Sequence, residues 1–155
     1  MWNIEYSAET ELAPSAVWQA LRALESGETP MASGDLRQLN NKFELGGTIT
    51  ATPVGIDPLE STITELVENE VLAIQANFNG LILLLRHTLT PTNANGTRIV
   101  RRLEITSDGA AERAQIAGPR ISADYPEALE EIIYARHSTA PTPSSRRTSG
   151  RRRSR

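Results

Sequence analysis

Two polar side chains, His87 and Arg101, stand where apolar ones are expected. His87 lies among Leu83, Leu85 and Leu89, and Arg101 lies among Ile99, Leu103 and Ile105. Both runs alternate with the period of a β-strand, so each polar group points the same way as its apolar neighbours. A histidine so placed can exchange a proton near neutral pH, or hold a carbonyl or hydroxyl of a bound molecule. It can equally be a structural group bonded to backbone or water. An inward guanidinium is costly without a partner and must find a carboxylate, carbonyl oxygens or a ligand anion. Glu65 falls on the inward face of its own strand by the same parity and is the partner the sequence offers. A one-residue bulge would reverse that parity and turn Arg102 inward instead.

The elements that must position these groups follow from periodicity. Trp2 to Thr10 alternates, with Trp2, Ile4, Tyr6 and Ala8 on one face. Pro14 opens a helix carrying Val17, Trp18, Leu21 and Leu24, and Gly27 ends it. Leu36 and Leu39 suggest a short helical turn in the irregular segment from Ser26 to Lys42. Phe43 to Thr52 reads as a strand with Phe43, Leu45, Ile49 and Ala51 on one face and a bulge or bend at Gly46-Gly47. Leu59 to Glu68 reads as a strand with Leu59, Ile63 and Val67 inward, and Val71 to Phe78 as one with Leu72, Ile74, Ala76 and Phe78 inward. Asn79-Gly80 and the segment Pro91 to Gly96 supply turns on either side of the His87 strand. Ser107-Asp108-Gly109 ends the strand pattern. A helix over Ala110 to Ala117 is expected to stop at Gly118-Pro119. A last helix runs to about Arg136 with an apolar stripe of Ile121, Tyr125, Ala128, Leu129, Ile132 and Ile133, Pro126 lying in its first turn or bending it.

Bulk composition narrows the classes. The chain of 155 residues has no cysteine, which excludes disulfides and thiolate metal sites and fits a cytoplasmic setting. No apolar run is long enough to span a membrane, and the first residues lack the pattern of a signal peptide. The net charge of -3 conceals a split, because six of the sixteen basic residues lie in the last ten positions. The body up to residue 145 is therefore strongly acidic, a poor surface for nucleic acid. Residues 138–155, rich in Ser, Thr, Pro and Arg, have no apolar period and read as a disordered tail beyond a domain of residues 1–137. The two histidines lie fifty residues apart and give no metal spacing. No glycine-rich phosphate loop or nucleophile elbow occurs, so no metal and no cofactor are expected.

Successive strands joined by short turns make an antiparallel meander with one apolar face. The fold class is therefore α+β, a curved antiparallel sheet of about six strands wrapped around a long C-terminal helix. Such a sheet can leave a space between itself and the helix, with walls suited to a lipophilic guest. The opening strand followed by Ala13-Pro14-Ser15-Ala16-Val17-Trp18-Gln19-Ala20-Leu21 resembles the start of START-like helix-grip (SRPBCC) domains. Ile63 to Leu72 is similar to the central hairpin of that superfamily, and Gly96-Thr97-Arg98 and Gly118-Pro119 also fit. The resemblance covers residues 2 to 137. It implies an internal hydrophobic cavity, and members that carry lipids, sterols or hormones, that act as polyketide cyclases and dehydratases, or that bind other proteins. The superfamily has no universal catalytic motif to carry over.

On this reading the cavity binds a small hydrophobic or amphipathic molecule, with Tyr6, Glu65, Phe78, Leu85, His87 and Arg101 contributed by the sheet. Tyr125, Leu129 and Ile132 of the last helix complete the wall; the aromatic residues serve equally well as core. The alternatives are a polyketide cyclase or dehydratase, in which His87 moves a proton and Arg101 stabilises an enolate, and a protein-interaction module.

Overall fold

The computed structural model describes residues 1–55, 57–106 and 111–139. The elements run β1 (Trp2–Thr10), α1 (Pro14–Ser26), β2 (Leu36–Leu39), β3 (Thr48–Thr52), β4 (Leu59–Val67), β5 (Val71–Phe78), β6 (Leu81–Pro91), β7 (Thr97–Thr106), α2 (Ala111–Ile121) and α3 (Tyr125–Thr139). Among the described residues, seven strands form one antiparallel sheet in the order β1-β7-β6-β5-β4-β3-β2. From β2 to β7 the chain meanders strand by strand. β1 returns to the far edge to pair with β7, so α1 carries the chain from one sheet edge to the other.

Short-range chemistry explains the turns. Asn79 and Gly80, with φ of 50° and 83°, make the two-residue connection between β5 and β6. Both left-handed positions suit the twist of a tight hairpin, which is why Asn-Gly occupies them. α1 starts with Pro14 at its first position and ends on Gly27 at φ 87°, whose N–H bonds Leu24 O at 3.3 Å.

The apolar stripe of α1 packs with Leu129 and Ile132 of α3 against Ile49, Ile63, Leu72 and Ile99 of the sheet. A second cluster joins Leu81, Leu103 and Ile105 to Ala114 of α2 and Tyr125 of α3. Each fully buried aliphatic side chain contributes roughly 1.5–3 kcal/mol. The two clusters together fix all three helices over the same face of the sheet.

Several expectations are corrected. Leu36–Leu39 is a strand and not a helical turn, which raises the strand count to seven. Its four residues acquire their conformation from pairing with β3, a long-range partner that local spacing does not encode. β3 begins at Thr48, five residues later than expected. Gly46 N–H and Gly47 O both bond to Ile63, and Leu45 is 62% exposed. α2 continues through Gly118-Pro119 to Ile121, and the break falls at Ser122 to Asp124. A Cβ at Gly118 would stand 2.6 Å from the Trp2 ring, so glycine there allows the helix to lie against the indole. Pro126 lies in the first turn of α3. That helix ends at Thr139, two residues beyond the expected domain boundary. The remainder of the expected tail, the Ser107-Asp108-Gly109 break and Ala110 lie outside the described residues.

Candidate functional site

Between the sheet and α3 lies a cavity of about 610 Å³. Ile74, Phe78, Leu83, Leu85 and Leu103 form its sheet wall, and Tyr125, Ala128 and Ile132 its helical wall. The size and apolar lining are those of a small-molecule site. The mouth is bordered by Ala32 and Ser33 in the α1–β2 loop, Val54 after β3, and Arg120, Asp124 and Glu127 around the α2–α3 junction. Glu131 of α3 accepts a hydrogen bond from the Ala32 backbone N–H, which ties that loop to the helix.

The cavity floor carries charge. Arg101 and His87 are directly opposite each other on β7 and β6. Arg101 Nη1 lies 2.6 Å from His87 Nε2 and 3.7 Å from Glu25 Oε2. Arg37 Nε donates to the other oxygen of Glu25 at 3.4 Å. The three charged side chains are nearly closed off, at 4% exposure for Glu25, 7% for Arg101 and 13% for Arg37. The Tyr125 ring covers the Arg101 guanidinium, its centroid 4.2 Å from Cζ, and Tyr6 meets Tyr125 edge-on at 6.5 Å.

The guanidinium has donors only, so His87 Nε2 must accept and the imidazole is neutral with its proton on Nδ1. Burial, reinforced by the Arg101 charge, holds the His87 pKa well below its ordinary value of 6.5. Burial likewise raises the Tyr125 phenol above 10.0, against a smaller opposing effect of Arg101. Among the described residues His87 Nδ1 and Arg101 Nε have no hydrogen-bond partner.

Of the residues that the sequence reading assigned to a ligand, the structure places Phe78, Leu85, Arg101, Tyr125 and Ile132 in the cavity lining. His87 does not: it is fully buried behind Arg101. Tyr6 and Leu129 pack in the core beside the cavity and are not part of its lining. Glu65 faces the opposite side of the sheet. A bulge between Ile63 and Glu65 inserts Thr64, so Leu66 packs inward while Glu65 and Val67 turn outward. Glu65 pairs there with Arg86 at 3.1 Å, both side chains being more than 40% exposed. β7 has no such irregularity, and Arg102 stays on the outer face beside Glu104 and Glu5.

Glu25 and Arg37 are the site residues that sequence reasoning missed. Glu25 stands seven residues after Trp18 and four after Leu21, on the buried stripe of α1. That spacing marks it as inward. Arg37 had no comparable signal, because its strand was not legible.

No protein-family model matches the chain, and no curated protein matches it in sequence. Solved structures do match its fold. Ara h 8.0201 superposes with a TM-score of 0.70 at 11% identity, over 88% of this chain and 98% of that one. The Zhui aromatase/cyclase from a Streptomyces species gives 0.71 at 9% identity, over 90% and 96%. Norcoclaurine synthase from Thalictrum flavum, in complex with dopamine and hydroxybenzaldehyde, gives 0.71 at 13% identity, over 92% and 89%. The chain has the START-like helix-grip fold. Arg101, Glu25 and Arg37 make the floor of the space between the sheet and α3 polar. No helix among the described residues is long and apolar enough to cross a membrane.

Proposed function

We propose that this protein binds a small hydrophobic or amphipathic molecule between the sheet and α3. The observation that carries this reading is the 610 Å³ cavity whose walls are apolar and whose deeply buried charges, among the described residues, gather at one end. Apolar walls stabilise a guest by roughly 25 cal/mol per Å² removed from water, and a local polar group fixes which end goes in. Two of the structural neighbours named above are small-molecule enzymes, one of them with its guests bound, which supports the use of this fold to enclose such compounds.

Binding is favoured over proton-transfer catalysis by the position of His87. Its Nε2 faces Arg101, and Arg101 stands between it and the cavity. A guanidinium does not release a proton under ordinary conditions, so it does not relay one from the imidazole to a guest. The test is native mass spectrometry and thermal-shift screening of the full chain against lipids and aromatic polyketides. One-to-one adducts with raised melting temperature are expected. Failure of every apolar compound to bind would remove the reading.

A further inference from the structure

We infer that the guest carries a carboxylate, which docks on the cavity floor at Arg101 and Arg37; this rests on the reading of the cavity as a guest site. The first argument is charge balance. Two guanidiniums share the single carboxylate of Glu25, whose oxygens are each engaged by one of them. His87 adds no charge, since its Nε2 accepts from Arg101. The floor therefore holds one uncompensated positive charge in a nearly closed space, an arrangement that is unfavourable until an anion arrives.

The second argument is donor inventory. A guanidinium has five N–H donors in a planar fork suited to a carboxylate. Among the described residues only Nη1 of Arg101 is engaged in a hydrogen bond or ion pair, and Nε is buried without a partner. The neighbouring groups do not satisfy it. Leu103 and Leu85, on the same face of the sheet, are apolar and offer it no acceptor. The remaining lining carboxylates are at the mouth, where Asp35 accepts from Val54 N–H and Glu131 from Ala32 N–H. The cavity is thus cationic at its floor and acidic at its rim, which orients an amphiphile with its acid inward and disfavours an amine there.

The experiment is calorimetric titration of the full chain with matched head-group series, decanoate against decanol and decylamine, and naphthoate against naphthylmethanol and naphthylmethylamine. The carboxylate of at least one series is expected to bind on the order of tenfold more tightly than its alcohol, with the amine weakest. Arg37→Gln, at the better-exposed edge of the cluster, and Arg101→Gln should each reduce that preference. Glu25→Gln, which leaves both guanidiniums unopposed, should enlarge it. These opposite directions keep the test open even if one variant does not fold. Alcohols binding as tightly as acids, or a preference unmoved in every folded variant, would overturn the carboxylate assignment and leave the cavity reading standing. Absence of binding by any member of both series, with the broad screen also empty, would overturn both.

Discussion

Arg101 Nη1 sits 2.6 Å from Nε2 of His87, and neither residue has more than marginal contact with solvent. Register places the two opposite each other on adjacent strands, and burial sets the protonation. An imidazole facing a permanent cation in a desolvated space is stable only as the neutral base.

That protonation state has a pH signature. The folded pKa of His87 lies well below the unfolded value of about 6.5, so below that pH the unfolded chain binds the extra proton first. Stability is fully present above about pH 6.5 and falls as pH drops towards the folded pKa. The limiting slope is about 1.4 kcal/mol per pH unit for this one group. Urea unfolding of the wild type and His87→Gln between about pH 7.5 and about pH 5.5 checks it. The difference between them should shrink on acidification, because only the wild type loses this contribution. A constant difference would show that His87 is not held neutral.

The buried ion pair should appear as coupling. Removing one partner of a buried pair costs about 3–5 kcal/mol because it strands the other charge. Arg37 remains beside Glu25, so Arg101→Met strands no charge and should cost about 1–3 kcal/mol, chiefly from the buried His87 Nε2 acceptor it leaves unpaired. The double variant Glu25→Leu with Arg101→Met should be less damaged than the sum of the single changes by about 1 kcal/mol or more. Chemical denaturation of the four proteins completes the cycle, and strict additivity would mean that the two charges do not stabilise one another.

Gly27 tests how β2 is held against α1. It sits at φ 87°, and a Cβ there would collide with the Arg37 carbonyl oxygen. Gly27→Ala should cost at least about 2 kcal/mol, from left-handed backbone strain and overpacking together. It should also weaken the Glu25–Arg37 contact by displacing the strand. An unfolding midpoint equal to that of the wild type would contradict this packing.

The part of the site that was legible in the sequence is the part encoded by strict alternation. Along β6 and β7 the parity held without interruption, so the inward placement of His87 and Arg101 was readable from two adjacent runs. Parity failed for Glu65, where one inserted residue at Thr64 reversed every side chain after it. Nothing in Ile63-Thr64-Glu65 marks a bulge, since no glycine or proline stands there. The true partner, Glu25, sat in plain view on a helical stripe but was a charge among apolar residues, and its two counter-ions come from β2, the next element, and from β7, far along the chain. Arg37 was hidden for a different reason. A four-residue strand has too few alternations to be distinguished from a turn, and only the pairing with β3 makes it one.

Cavity-filling distinguishes an open site from a packed core. Ala76 lies on the inward face of β5 and lines the cavity. In a packed core Ala76→Phe would cost about 1–3 kcal/mol through overpacking. Against an open cavity it should change stability by less than about 0.5 kcal/mol while removing guest binding.

The most direct measurement is therefore titration of the wild type and Ala76→Phe with a neutral apolar fluorophore such as N-phenylnaphthylamine. Saturable one-to-one fluorescence enhancement in the wild type, lost in an equally stable Ala76→Phe, is the expected result. No saturable binding to the wild type, or equal binding to both proteins, would contradict a guest site between the sheet and α3.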